Sequence, residues 1–480
     1  MKPLTLGEAL LPVAAMLLFF SVGVLTLGTS GELLIVVLLL AAAVAGFIAH
    51  RHGKTWDDIQ AATGQKFAGV IPVILILLTI GMLIGTWVIS GTIPYLVYWG
   101  VKVVNPQYLA LTAFIATALM SSCTGTSWGS AGTLGVAIMG TATALNAPLP
   151  LIAGAVVSGA YFGDKMSPLS DSTNIAAIGA NANLYSHIRH MVYTSGPSFV
   201  IALVVYALVG VFGTASTSAS PEGARALLSD LNSAFTLNWI VLVPVVIAVW
   251  GILRKMSAAL AITMSSLAAG IIGVFLQHFS VQSVLTATVA GFKAALITKA
   301  AVDPASLGAD FHRLVERGGL YSMAPTLVVI LAAFLLAAGM EVSGALDLLV
   351  KRLLASARTV FRLIASTLAA GASMVALTSN NGVTSLVVGE LFQQAYRDKG
   401  LAPENLSRSI EDSSTITEPL MPWTVSATFM ATTLGVPTVA YAPWAVFCYC
   451  GPMFSLLIAA LYSRTGFGIK QLNGNNRLID

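Results

Sequence analysis

The sequence predicts an all-α polytopic membrane protein, and three observations support this fold class. First, 56% of the 480 residues are hydrophobic and 9% are charged, with a mean hydropathy of +0.85. A soluble domain carries about a quarter charged residues, so this chain cannot cover a surface that faces water. Second, apolar runs near the roughly 20 residues of a helical membrane crossing recur along the chain. Third, the short alternating segments of a transmembrane β-barrel are missing.

The apolar runs define the predicted helices in order. They cover residues 9–28, 32–49, 68–90, 107–121, 127–145, 148–163, 191–212, 237–253, 257–277, 321–342, 361–378, 382–396, 421–435 and 440–462. Several are too short to span a bilayer, and these lie beside polar, Gly-rich or Pro-rich breaks. The segments 93–104 and 345–355 are short and amphipathic, which is typical of interfacial or linking helices.

The same composition argues against several function classes. The formal net charge is +4, without the long basic run that nucleic-acid binding would need. Cys123, Cys448 and Cys450 do not have the spacing of a metal site or a disulfide framework. The H-E-x-x-H helix of an intramembrane metalloprotease is also missing. We therefore expect a protein that is not an enzyme and uses no cofactor.

The two halves of the chain resemble each other weakly. The segment IPVILILLTIGMLIGTWVISG, which ends at Gly91, aligns with APTLVVILAAFLLAAGMEVSG, which ends at Gly344. Further along, LMSSCTGTS aligns with LTSNNGVTS, and SPL aligns with EPL. Internal repeats of this kind indicate a duplicated architecture. We predict a first repeat over residues 1–212, a polar linker over 213–236 and a second repeat over 237–480.

The distribution of basic residues predicts opposite orientations for the two repeats. Lys and Arg accumulate on the cytoplasmic side of membrane proteins. The basic loop 50–67 precedes the run 68–90, which then travels outward, whereas basic residues between 351 and 362 follow the run 321–342, which travels inward. We therefore predict two inverted-topology repeats, with broken or re-entrant helices at 119–130 and 377–388. Both termini are expected in the cytoplasm.

Inverted repeats with helices broken by polar residues are typical of secondary transporters. The segment GDKMSPLSDSTN fits this class, because Pro168 prevents a continuous helix and the flanking oxygens suit a hard cation. The predicted ion- and proton-coupling residues are Asp164, Asp171, Asp412, Glu418 and Glu341, of which Asp171, Asp164 and Asp412 are the Na⁺ candidates. The predicted cavity ligands are Thr126, Ser127, Ser167, Ser172, Thr173, Asn174, Asn380, Asn381, Thr384 and Ser385.

Three stretches carry a resemblance to a known family. GTSWGSAGTLG, SGAYFGDKMSPLSDSTNIAA and EDSSTITEPLMPWTVSATF resemble the NhaC-type sodium/proton antiporters, which belong to a wider ion-transporter superfamily. The resemblance implies Na⁺/H⁺ antiport by alternating access in a bacterial inner membrane, with Na⁺ and H⁺ as the transported ions. The family's motif falls here on Asp164, Ser167, Pro168, Asp171, Ser172 and Thr173. A homo-oligomer is compatible with the sequence.

Other interpretations stay open at this point. The family also contains exchangers that couple Na⁺ or H⁺ to organic acids such as malate and lactate, and Lys165 keeps that alternative open. A channel is less favoured, because its filter is usually a ring of groups around a pore.

The candidate side chains also have structural interpretations. Asp171 has the position of a helix N-cap, Glu418 could open a helix, and Glu341 could be an interfacial charge. Asp164 could form a loop ion pair, and Glu411 has the position of a solvated helix-end charge. Hydroxyls in a membrane helix commonly bond their own backbone.

Overall fold

The computed structural model describes residues 4–28, 31–212, 221–254, 256–297, 299 and 302–472. In these ranges the regular structure is helical, apart from an isolated bridge between Leu401 and Gln471. Nine helices of the described ranges are long and apolar enough to cross a membrane, or ten if one pair bent by 94° forms a single span. The predicted all-α polytopic membrane protein is confirmed.

The helices fall in chain order as follows. The first half contains α1 Leu6–Leu27, α2 Gly31–Arg51, α3 Trp56–Ile89, α4 Thr92–Val103, α5 Leu109–Thr124, α6 Ser127–Ser130, α7 Val136–Ala144, α8 Leu149–Met166, α9 Asp171–Gly179 and α10 Leu184–Phe212. The remainder contains α11 Pro221–Ala234, α12 Val243–Leu253, α13 Ala258–Phe275, α14 Val281–Val289, α15 Ala309–Val315, α16 Ala324–Val342, α17 Ala345–Ala355, α18 Val360–Thr378, α19 Asn381–Asp398, α20 Pro403–Ile410, α21 Val425–Leu434, α22 Thr438–Tyr441 and α23 Val446–Thr465. Two π-helical turns, Ala131–Gly135 and Glu411–Thr415, continue α6 and α20.

The long helices α3 and α16 end in the same way. Each is followed by a Ser–Gly pair whose glycine is left-handed, with φ of 81° at Gly91 and 79° at Gly344. Glycine adopts this conformation without steric cost, so the chain can turn sharply there. The predicted amphipathic segments then form the short helices α4 and α17.

The two predicted breaks also share one local geometry. Helix α5 ends at Gly125 with a φ of 69°, and the Thr126 side chain caps the next helix. Helix α18 ends at Ser379 with a φ of 50°, and the Asn380 side chain caps α19. In both places one left-handed residue and one polar cap interrupt a helix inside the protein. Backbone groups freed by such a break survive in a membrane only where protein or water satisfies them.

The helices of the two halves pack reciprocally. Helix α3 packs against α13, whereas α16 packs against α2. Likewise α9 packs against α19, and α21 packs against the first π-helical turn, beside which Trp128 stacks on Phe429 with ring centroids 4.3 Å apart. Each half therefore supplies packing partners for the other, as a pseudo-two-fold relation would require. The inverted orientation itself stays a prediction.

The predicted domain boundaries also stay a prediction. Within the expected linker, residues 213–220 lie outside the described residues and Pro221–Ala234 forms α11. The ends of the predicted repeats, residues 1–3 and 473–480, lie outside them too.

Candidate functional site

Asp164 lies at the first break and is held by hydroxyl groups. Near the end of α8 its side chain is buried, at 8% exposure. Ser127 Oγ donates a hydrogen bond to one carboxylate oxygen at 2.7 Å, and Ser170 Oγ donates to the other at 2.6 Å. Ser127 begins α6, and Ser170 caps α9, so the break between α5 and α6 and the gap between α8 and α9 meet at this carboxylate.

Other polar residues of the first half mainly hold the broken backbone. The Thr173 hydroxyl donates to the Lys165 carbonyl at 3.0 Å, and the Asn174 amide donates to the Ser170 carbonyl at 2.7 Å. The Thr126 hydroxyl accepts from the Gly129 amide. Further contacts in the same segment join Ser167 Oγ to the Leu169 amide and Ser172 Oγ to Ser170 Oγ. These side chains give the chain its path around Asp164 but do not themselves point to a cargo.

Asp171 differs from Asp164 in its surroundings. It is exposed in the first turn of α9. The N-cap of that helix is Ser170, whose hydroxyl accepts from the Thr173 amide, so the capping interpretation of Asp171 is wrong. Asp171 lies near enough to Asp164 to act on it as a neighbouring negative charge.

A buried ion pair joins the two halves next to Asp164. Lys165 Nζ bonds the Asp412 carboxylate, 247 residues away along the chain, and both side chains are 0% exposed. Asp412 also accepts hydrogen bonds from the hydroxyls of Thr194 at 3.2 Å and Ser455 at 2.7 Å. The interpretation of Asp164 and Lys165 as a solvated loop pair is therefore wrong, since both are buried and Lys165 bonds a carboxylate of the other half.

The second break faces the π-helical turn that carries Asp412. Asn381 Oδ1 accepts from the hydroxyls of Ser385 at 3.2 Å and Thr415 at 3.3 Å. Ser385 Oγ also lies 3.3 Å from Ser414 Oγ. The neighbouring hydroxyls of Thr378 and Thr384 pair at 3.0 Å, and Asn380 caps α19. The predicted polar residues of this break therefore line the segment that holds Asp412, as Ser127 contacts Asp164 in the first half.

Two predicted coupling residues lie apart from this pair. Glu341, near the end of α16, has a side chain that is 54% exposed and is paired with Lys66. The interfacial interpretation of Glu341 fits this position, and the structure does not bring it to the buried carboxylates. Glu418 is buried and interacts with Ser426, beyond the second π-helical turn.

Sequence reasoning missed two buried charges beside Asp412. Glu411 is 0% exposed, so the expectation of a solvated helix-end charge is wrong. Arg408 is fully buried as well, with Nη1 donating to the Gly468 carbonyl. The sequence carries no signal of this burial, because PENLSRSIED is mostly polar and is typical of a helix with a water-facing side.

No group of three or more His, Cys, Asp or Glu side chains arranged to hold a metal ion is present among the described residues. A cation at Asp164 would therefore also need hydroxyl and carbonyl oxygens. Hard monovalent and divalent cations accept such oxygens readily.

Comparison with known proteins identifies the family. The profile of the Na⁺/H⁺ antiporter family matches residues 159–461, which include the second π-helical turn and the Lys165–Asp412 pair. The chain belongs to the Na⁺/H⁺ antiporter family. The resemblance found in the sequence is thus confirmed.

Relatives of this antiporter match over nearly its whole length. It is 41% identical to an uncharacterised Na⁺/H⁺ antiporter of Haemophilus influenzae, across 98% of both chains. It is 33% identical to the Na⁺/H⁺ antiporter NhaC of Alkalihalophilus pseudofirmus, across 99% of both chains. It is also 31% identical to the malate-2H⁺/Na⁺-lactate antiporter of Bacillus subtilis, across 89% of both chains. These relatives are all transporters.

Proposed function

We propose that this antiporter exchanges Na⁺ for H⁺ across a bacterial inner membrane by alternating access. The observation that carries the proposal is the buried Asp164 carboxylate, which is held by two hydroxyls at the meeting point of two helix breaks. An acidic side chain inside a membrane protein is costly, by about 3 kcal/mol at the lower estimates, and therefore indicates a function. Both the NhaC relative and the family profile support Na⁺ and H⁺ as the cargo.

The chemistry of Asp164 suits competition between the two ions. In the structure, Ser127 and Ser170 donate their hydroxyl protons to the carboxylate. A hydroxyl also carries two lone pairs, so by rotating it can turn an oxygen toward a cation instead. Na⁺ bound to Asp164 and a proton on Asp164 would then exclude each other, which is the minimal requirement for exchange.

The Lys165–Asp412 pair supports a movement of one half against the other. It is a buried contact between the two halves, adjacent in sequence to Asp164. Alternating access in secondary transporters is largely a rigid-body motion of one repeat against the other around a fixed site. A change in ion occupancy at Asp164 would alter the electrostatic potential at the adjacent Lys165. Because Lys165 bonds Asp412, the change would also act on the second half. We further propose that both termini lie in the cytoplasm.

The test uses proteoliposomes that contain a trapped pH dye. A pH gradient is imposed, and Na⁺, K⁺, malate or lactate is then added to wild type, Asp164→Asn and Asp171→Asn. We expect dissipation of the gradient by Na⁺ alone in wild type and its loss in Asp164→Asn. Asp171→Asn should retain more exchange, because its carboxylate is exposed. Wild-type exchange in Asp164→Asn would contradict the proposed role of Asp164.

Organic-acid exchange is the second candidate, and one observation favours it. The Nε and Nη2 atoms of Arg408 are buried and have no hydrogen-bond partner in the part of the chain that the structure describes. One edge of a guanidinium can bind a carboxylate through two parallel hydrogen bonds. The malate/lactate relative is compatible with such a cargo. Dissipation of the pH gradient that requires malate or lactate, and is lost in Arg408→Lys, would favour this candidate.

A further inference from the structure

We propose that Glu411 is a ligand of the transported cation, in addition to the carboxylates that the sequence indicates. The proposal rests on the function proposed above and assigns one more residue to the same site. Glu411 is the first residue of the second π-helical turn and directly precedes Asp412. Such π-helical turns are frequently found at functional sites.

The contacts of Glu411 differ from those of its neighbour. Asp412 has an ammonium group and two hydroxyls around it. Both carboxylate oxygens of Glu411, in contrast, are buried, and no described residue meets them in hydrogen-bond geometry; the Thr415 hydroxyl lies near them but donates to Asn381 instead. Buried polar atoms are nearly always paired, and an unpaired one calls for an explanation such as an ion or water that binds there. Two unpaired oxygens on one fully buried side chain form an incomplete cation site.

The charges around Glu411 support a cation rather than an anion. We call the buried residues Asp164, Lys165, Arg408, Glu411 and Asp412 the buried charge cluster, which contains three carboxylates and two cationic side chains. Asp412 bonds Lys165 and lies near enough to Arg408 to act on its charge. Lys165, Asp164 and Asp412 all act electrostatically on Glu411. Lys165 is already engaged by Asp412. With every member ionised, the cluster would carry one surplus negative charge, and one monovalent cation would balance it.

Oxygen ligands from the second break lie close by. Thr415, one turn after Glu411, bonds Asn381 Oδ1, and Ser414 lies next to Ser385. Hydroxyl, amide and carboxylate oxygens together are the ligands that a hard cation prefers. Glu411 would thus connect the second break to the cation in the way that Asp164 connects the first.

The proposal is tested by equilibrium binding of ²²Na⁺ to the purified full-length protein, together with exchange in proteoliposomes. Glu411→Gln keeps the shape of the side chain but removes its charge. Loss of even an outer-shell partner of a bound metal typically weakens binding by about 10- to 100-fold. We therefore expect Na⁺ binding at least about tenfold weaker in Glu411→Gln. The matched control is Glu404→Gln, because Glu404 lies on the same α20 helix but is paired with Lys470.

Each outcome separates the inference from the proposed function. If wild type exchanges Na⁺ for H⁺ and Glu411→Gln binds Na⁺ like wild type, only the ligand role of Glu411 is overturned. If wild type neither binds nor exchanges Na⁺, both proposals are overturned. A purely structural Glu411 would give a more stable Glu411→Gln variant with unchanged Na⁺ affinity. If Glu411→Gln fails to fold, Glu411→Asp is the second test, because it retains the charge but draws the carboxylate oxygens back toward the helix. An unchanged Na⁺ affinity of Glu411→Asp would equally contradict the inference.

Discussion

Removing Lys165 should destabilise the protein more than any other single loss of charge that we have described. In Lys165→Met, the Asp412 carboxylate stays buried at 0% exposure but loses its counter-ion. Breaking a buried pair in this way typically costs 3–5 kcal/mol. The hydroxyls of Thr194 and Ser455 remain as donors, at 3.2 and 2.7 Å. Since hydrogen bonds to a charged group contribute about 1.5–3 kcal/mol each, we expect a loss near the lower end, about 3 kcal/mol.

A double variant separates the pair from general damage to packing. Lys165→Met combined with Asp412→Asn removes both charges and leaves an amide oxygen for the two hydroxyls. Replacing both members of a buried pair is often neutral for stability, so the double variant should be more stable than Lys165→Met alone. It should also lose exchange. The assay is reversible unfolding in detergent micelles, followed by tryptophan fluorescence. The reasoning is refuted if Lys165→Met unfolds within about 1 kcal/mol of wild type, or if the double variant is the less stable of the two.

Three further predictions address single contacts. Ser127→Ala removes a hydroxyl donor to the buried Asp164 carboxylate, a hydrogen bond that contributes about 1–3 kcal/mol. The half-saturating Na⁺ concentration in the exchange assay should therefore rise at least several-fold. The Ser122 hydroxyl bonds the backbone of its own helix, so Ser122→Ala should leave that concentration unchanged. Gly389→Ala would place a Cβ 2.3 Å from a backbone oxygen of α9 and should lower the melting temperature by several degrees. Gly382→Ala, where the nearest atom lies 3.4 Å from the added Cβ, should change the melting temperature little. Equal melting temperatures of the two variants would contradict the close α9–α19 packing. Glu341→Gln removes the exposed ion pair with Lys66, which contributes less than about 1 kcal/mol, and should leave Na⁺/H⁺ exchange intact. A loss of exchange in this variant would support Glu341 as a coupling residue.

The fold class and the positions of the breaks could be predicted because their causes are local. A charged fraction of 9% excludes a water-facing surface wherever the helices lie. Gly125 and Asn380 act through the backbone within a few residues: glycine allows a left-handed turn, and an Asn side chain caps the helix that follows. The family resemblance also depends on short stretches of sequence. None of these features requires knowledge of distant contacts.

The roles of the charged residues could be predicted only in part, because they depend on burial. Asp164 and Asp171 occur in one polar stretch, yet the first is buried between two hydroxyls and the second is exposed. Glu341 lies in an apolar run but points to Lys66 at a membrane end. From the sequence alone, each of these carboxylates is an equally good candidate for the ion site. Only the packing of α6 and α9 around α8 distinguishes Asp164.

By itself, the sequence determined that this chain spans the membrane, breaks its helices at two matched places and belongs with the sodium/proton antiporters. The first two properties follow from composition and from the conformational preferences of single residues, and the third follows from the resemblance of short stretches of sequence to the family. The tertiary structure alone decided that Lys165 bonds Asp412 across 247 residues. It also decided that Glu411 is buried without a hydrogen-bond partner among the described residues, while the adjacent Asp412 has three. Adjacent side chains on a helical segment point in different directions, so the groups that surround each one come from other helices. The role of each charge in the site is therefore fixed only when the two halves pack together.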